Sequence, residues 1–169
     1  CVDSVWGRLP EQPFSFESWR QIERACRELY VTEVDSLALE GRLHLLEVCC
    51  SPESVLTQCM RKKGGRAERA GLHNGCNLTT CEGINRLAEM QRIGKPEVLW
   101  SSINCDAYCQ MQNVNLAQFG ESFRRRLKER RRRTSIMVDT VLERIEVQIV
   151  NHRFFVFEWP PRCEGWMLK

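Results

Sequence analysis

An α/β fold, built on a mostly parallel sheet with helices on both faces, is predicted by three features of the sequence. Strand-like and helix-like segments alternate along the chain, the strand-like runs are nearly continuous in apolar residues, and three of them end abruptly in polar loops. A chain of 169 residues with 43% hydrophobic content can bury one core.

The opening "CVDSVWGRLPEQP" reads as a loop leading into the fold. From Ser18 to about Thr32 the spacing of Trp19, Ile22, Ala25, Cys26 and Leu29 predicts an amphipathic helix. Residues 1–40 are therefore expected to be a loop and helix packed on a core formed by 41–169. "RLHLLEVCC", Arg42 to Cys50, has the apolar continuity of a strand covered on both faces. In "SPESVLTQCMRKKGG", Ser51 is placed as a cap and Pro52 as the first helical residue. Val55, Leu56 and Cys59 form the apolar stripe, Arg61, Lys62 and Lys63 the basic last turn, and Gly64 the stop.

"RAERAGL" reads as a second strand and Asn74-Gly75 as a turn. A helix from Cys81 to about Ile93 follows, closed by Gly94 and Pro96. "EVLWSSIN" is the third strand. Leu116 to about Asn151 is a long helical region in which Phe119, Phe123, Leu127, Met137, Val141, Ile145 and Ile149 recur at helical spacing, with a break expected near Arg133 and Thr134. "RFFVFEWPP" is a fourth strand stopped by Pro160 and Pro161. The expected sheet has right-handed crossovers, and in such sheets ligands bind beyond the carboxyl ends of the strands where strand order reverses.

Four loops lie at that rim. The first lacks glycine between Glu47 and Ser54, which argues against dinucleotide and nucleoside-triphosphate cradles. Ser51 and the helix start behind it can offer donors to a carboxylate, or can be no more than a good helix start. In the second loop, Asn74 and Asn77 suit hydroxyls or a purine edge, though Asn-Gly is also an ordinary turn, and His73 is a candidate ligand or a surface residue. The third loop, "INCDAYCQMQN", places Cys105 directly after the strand. It is a candidate nucleophile beside Asp106, which opposes a thiolate; the alternative is that Cys105 and Cys109 are small buried hydrophobes. In the fourth, Glu158 is an acid at the edge of a site or a partner for an arginine. Trp159 can stack on a flat ligand or pack beneath the helices.

The net charge of +3, from 25 basic and 22 acidic residues, says little about partners. Its distribution says more. Arg124, Arg125, Arg126, Lys128, Arg130, Arg131, Arg132 and Arg133 crowd one segment with a single acid, Glu129. That run is either a nucleic-acid contact or a solvated helix face. The ten cysteines show no regular spacing and no C-x-x-C, which favours a reduced intracellular compartment, nuclear or cytoplasmic, over a disulfide scaffold or a zinc site. No run approaches the ~20 apolar residues of a membrane span, and no signal-peptide pattern opens the chain. A start at Cys1 and an end soon after a strand-like run suggest a piece of a longer product.

Taken in order, "LLEVCCSPES", "RAGLHN", "NGCNL" and "PEVLWSSINCDAYCQMQN" resemble the cofactor half of an S-adenosylmethionine-dependent methyltransferase, most nearly the DNA cytosine-carbon-5 type. The resemblance runs from about Arg42 to Asn113 and rests on order and spacing. It implies a Rossmann-like sheet, incomplete at its C-terminus, with S-adenosylmethionine as cofactor. Cofactor contacts would come from Glu47, Cys49, Ser51, His73, Asn74, Asn77 and Asn104, with Cys105 as the nucleophile. The first-loop glycines are absent, Asn77 stands at the turn acid, Ile103-Asn104 replaces a proline, and Gln110 lies five residues beyond Cys105. These departures imply weakened or lost activity. "LLEVCCSPES", "GLHNG" and "FEWPPRCEGW" are also similar to domains of mobile-element or retrotransposon polyproteins. That similarity implies the remainder of a polyprotein as partner, and an alternative role as a non-enzymatic nucleic-acid-binding or assembly module.

Overall fold

The structure is a computed structural model and describes residues 41–168. The helix expected at 18–32, and the whole 1–40 segment, lie outside the described residues. Four strands occur: β1 (Leu45–Val48), β2 (Ala67–Ala70), β3 (Val98–Ser101) and β4 (Phe154–Phe157). They form one sheet in the order β2-β1-β3-β4, and every pairing is parallel. The α/β class and the parallel sheet are as the sequence predicts.

The helices are α1 (Val55–Lys62), α2 (Cys81–Gly94) and α3 (Met111–Val150). The chain moves one way from β1 to β2 and the other way from β2 to β3. Right-handed crossovers therefore put α1 on one face and α2 on the other. Side chains agree with that assignment. Thr57 of α1 bonds to Glu47 of β1, whereas Leu46, Val48 and Leu99 join the apolar cluster that includes Leu87 of α2 and Val141 and Ile145 of α3. With both faces covered, all four residues of β1 are buried.

Local details within the first and last of these helices differ from the sequence reading. The first helix begins at Val55 rather than Pro52, because Ser51 accepts the Glu53 amide in a local turn and Ser54 takes the N-cap position. Its inward side is Thr57, while Val55 and Cys59 are exposed. The long helix starts at Met111, and its discontinuity is at Gly120 rather than near Arg133 and Thr134. Gly120 has φ 62° and ψ −151°, a region that only a residue without Cβ occupies at low cost. The stretch 121–150 runs unbroken through the arginines because Leu127, Thr134, Val138, Val141, Ile145 and Gln148 form one buried stripe at intervals of three, four or seven residues. Phe119 and Ile149, expected on that face, are exposed.

A buried amide pair ties the helical layer to the sheet. Gln148 donates to the carbonyls of Pro96 (3.1 Å) and Phe154 (2.9 Å), and its Oε1 accepts from Gln91, which also donates to Arg144 O (2.8 Å). One side chain thereby holds the entries to β3 and β4 beneath α3. Replacing it with leucine keeps the volume and leaves those carbonyls without their side-chain donor. Gln148→Leu is expected to cost about 2 kcal/mol in urea unfolding.

Candidate functional site

The parallel order brings all four strand exits to one rim, with β1 and β3 adjacent at its centre. β1 connects through α1 to β2 on one side and β3 through α3 to β4 on the other, with α1 and α3 on opposite faces, so the order reverses between β1 and β3, where ligands of such sheets bind. The loops flanking that point are 49–54 and 102–110.

Glu47 faces α1 from the middle of the sheet. It is buried, and its carboxylate accepts from Ser54 Oγ (2.5 and 2.7 Å) and Thr57 Oγ1 (2.5 Å). This follows from the local sequence: Ser54 and Thr57, three residues apart at the start of a helix, present their hydroxyls to the same spot. Because Ser54 donates to Glu47, no side chain caps α1, and the first-turn amides of α1 carry no side-chain acceptor. Arg69, opposite Glu47 in the register, reaches the carbonyls of Pro52 and Ser54 and secures the outer part of the loop.

Cys49 follows β1 with φ 62°. Among the described residues the other two non-glycine residues with positive φ, Lys95 and His152, sit just after the ends of α2 and α3, where such a conformation is ordinary. Cys49 is at no helix end. For a residue with a Cβ that conformation is strained, and it turns the chain sharply at the β1 exit. Its amide donates to Ala70 O (2.8 Å), which holds the β1 exit against the β2 exit. Gly71 completes the contact: a Cβ there would lie 2.8 Å from Cys50 O and 2.9 Å from His73 Nδ1. Cys50, Gly71 and His73 therefore sit together.

Burial pushes the Cys49 thiol up from about 9 to about 12, helped by the neighbouring Cys50 and Cys76. Burial, then Glu47, pushes Cys50 to about 11. Neither is a thiolate at neutral pH. Cys49 holds its proton more tightly when folded than when unfolded. Its stabilising contribution is thus complete below pH 9 and is lost between pH 9 and 12, at about 1.4 kcal/mol per unit. Cys49→Ala is expected to flatten the stability profile measured across pH 9 to 11 by chemical denaturation.

The asparagines of the second loop are used locally. Asn74 donates to Arg69 O and accepts the Gly71 amide (3.0 Å), and Asn77 Oδ1 accepts from the amide (3.1 Å) and hydroxyl (2.8 Å) of Thr79. His73 is exposed.

In the third loop, Cys105 is half-buried with φ −87° and ψ 0° and begins the short turn Asp106–Tyr108. Asn104 closes on Asp106 through two hydrogen bonds (3.0 and 2.8 Å), and Asp106 pairs with Arg130 (3.6 Å). Arg130 thus balances the charge of Asp106, a pairing the linear sequence could not show. Directly before this loop, Ser101 Oγ is fully buried and has no hydrogen-bond partner among the described residues.

The fourth loop supports the third. Trp159 is buried, and its indole N–H donates to Ile103 O (2.7 Å). Its ring meets Tyr108 at 6.0 Å, Phe157 at 5.3 Å and Trp166 at 5.7 Å between centroids. Trp159 therefore sits within an aromatic cluster. Glu158 is exposed on the rim, its amide bonded to Ser101 O (2.8 Å).

The arginine run is largely paired. Arg124 meets Glu121, Arg130 meets Asp106, Arg131 meets Glu164, and Arg132 and Arg133 share Glu129. Hydrogen bonds from Arg132 and Arg133 pull Glu129 down to about 2. Arg131 is an internal strut: it donates to Ala107 O (3.0 Å) and lies over the Tyr108 ring at 5.2 Å. Arg125, Arg126 and Lys128 are exposed without an ion pair among the described residues.

The residues that sequence reasoning missed are Ser54, Thr57, Arg69 and Glu164, together with the internal role of Arg131. Only the Ser54/Thr57 spacing carried a local signal; the others act across the fold. Comparison of the chain with protein-family models, with curated proteins and with solved structures returns no match. All eight cysteines among the described residues are free, and no group of three or more His, Cys, Asp or Glu there is arranged to hold a metal ion. No described helix is long and apolar enough to cross a membrane.

Proposed function

We propose that residues 41–169 are a Rossmann-like, methyltransferase-like domain that binds S-adenosylmethionine at the rim between the β1 and β3 exits. The observation that carries this reading is the reversal of strand order at β1 and β3, beside the sharp turn at Cys49. The uncapped start of α1 suits the carboxylate of an amino-acid moiety. The exposed face of His73 and the backbone of 71–77 suit a ribose and base. Glu47 serves by shaping the first loop, since both its oxygens already accept from Ser54 and Thr57.

Cys105 is the nucleophile of this reading, in the φ/ψ region where many reactive residues sit. Asn77, in place of an acid, weakens adenine binding by roughly ten- to a hundredfold. Calorimetric titration of the full chain with S-adenosylmethionine and its demethylated product tests the cofactor claim; absence of heat up to about millimolar concentration removes it. The nucleophile claim has its own test, because Cys105→Ala must abolish any methyl transfer to nucleic acid.

The second reading is a non-enzymatic nucleic-acid or assembly module of a mobile-element polyprotein, favoured by Arg125, Arg126 and Lys128 on α3, exposed and without an ion pair among the described residues. If Arg125, Arg126 and Lys128 alone meet phosphates, duplex affinity falls with a log–log salt slope of roughly −3; engagement of all eight basic residues gives roughly −7. Filter binding at several salt concentrations separates the two, and a flat response excludes phosphate contacts.

A further inference from the structure

The arginine run of α3 has an aromatic end. Phe123, Arg126, Arg130 and Arg133 recur at intervals of three and four residues, so they share one side of the helix. Phe119 joins them across the bend at Gly120. Its ring lies 6.0 Å from that of Phe123, tilted by 45°, and the Arg126 guanidinium stands 6.0 Å from the Phe123 centroid. Phe119 is 53% exposed, and none of the five positions is an acid. Arg130 and Arg133 do have acidic partners, Asp106 at 3.6 Å and Glu129 at 3.0 Å. Both pairs are exposed, and exposed pairs hold too weakly to keep a cation from a phosphate.

The stripe is anchored at its basic end. Asp106 pairs with Arg130, and the Tyr108 hydroxyl donates to Arg131 O (3.2 Å), which ties the helix to the third loop. From that tie α3 continues for roughly 15 Å back to Gly120. Between Phe119 and Arg133 the chain carries eight cations and two acids, Glu121 and Glu129. Such a surface is complementary to a polyanion. Its aromatic end narrows the choice. The base faces of a duplex are stacked inside it, so duplex phosphates would engage the arginines and leave the Phe119 ring in water. Unpaired bases stack on aromatic side chains set beside such cations.

We propose that this side of α3 binds single-stranded nucleic acid, with phosphates on Arg126, Arg130 and Arg133 and a base stacked on Phe119. Such binding rests on the nucleic-acid reading of the arginine run and narrows its ligand from any nucleic acid to a single strand. Single strands of DNA and RNA share both features.

Fluorescence anisotropy with the full 169-residue chain compares oligothymidylate and oligouridylate of about 12 nucleotides with a DNA duplex of about 12 base pairs, each over a range of salt concentrations. At about 0.15 M salt at least one single strand is expected to bind fivefold or more tighter than the duplex, and the tighter of the two identifies the source. Phe119→Ala is expected to abolish this preference and leave the salt slopes unchanged, because the ring carries no charge. Phe119→Tyr should retain it. Arg126→Ala, in contrast, should reduce the single-strand slope by about 0.7. The comparison in the unmodified chain needs no variant and decides the matter should one fail to fold. Duplex bound as tightly as both single strands, or a preference indifferent to Phe119→Ala, would overturn the single-strand proposal alone. No binding of any of the three at low salt would overturn it together with the nucleic-acid reading.

Discussion

Trp159→Ala is expected to lower unfolding free energy by about 4 kcal/mol. The side chain is buried, and its ring sits among Tyr108, Phe157 and Trp166. Truncation leaves a cavity that this layer can only partly fill. It also strips the indole donor from Ile103 O (2.7 Å), the carbonyl two residues before Cys105. Loss of stability should therefore come with loosening of the third loop. Hydrogen exchange at 104–109 is expected to speed up at denaturant concentrations where the sheet is still intact. Trp159→Phe retains most of the volume without the donor and should cost less than half as much. Equal loss in both variants would mean that the indole hydrogen bond, and not the packing, carries the effect.

Glu47→Ala is expected to cost about 3 kcal/mol. Thr57 is fully buried, and its hydroxyl and that of Ser54 have Glu47 as their acceptor. Removing the carboxylate orphans both hydroxyls and opens a void beneath the first loop. A triple variant, Glu47→Leu with Ser54→Ala and Thr57→Val, removes donors and acceptor together and should recover most of the loss, since a fully apolar replacement leaves nothing unsatisfied. If the triple variant is as unstable as Glu47→Ala, the hydrogen-bond account of this site is wrong.

These two side chains also show what was legible in the sequence. Near-continuous apolar runs and their polar terminations marked the strands, because a strand covered on both faces has no room for alternation. The parallel sheet followed from short strands separated by helices. Where α1 begins was less legible, because Ser51-Pro52 is a good start by local chemistry, yet Glu47 claims the Ser54 hydroxyl and Ser51 turns on Glu53. The discontinuity of α3 was misplaced because charge density at 130–133 looks disruptive. The acids Glu129, Asp106 and Glu164 neutralise it instead, while Gly120 bends the chain upstream. Trp159 was ambiguous because an aromatic at a strand exit serves a ligand or a core equally well, and its bond to Ile103 O is a contact 56 residues away along the chain. The Cys49 turn was invisible, since a non-glycine residue announces no positive φ.

Amide chemical-shift mapping during titration of the full chain with S-adenosylmethionine tests the central claim most directly. The account predicts shifts at 49–55, 71–77 and 102–106, the exits of β1, β2 and β3 on one rim, with none at the opposite ends near Leu43 or Glu97. No shifts up to about 2 mM, or shifts at those opposite ends, would contradict it.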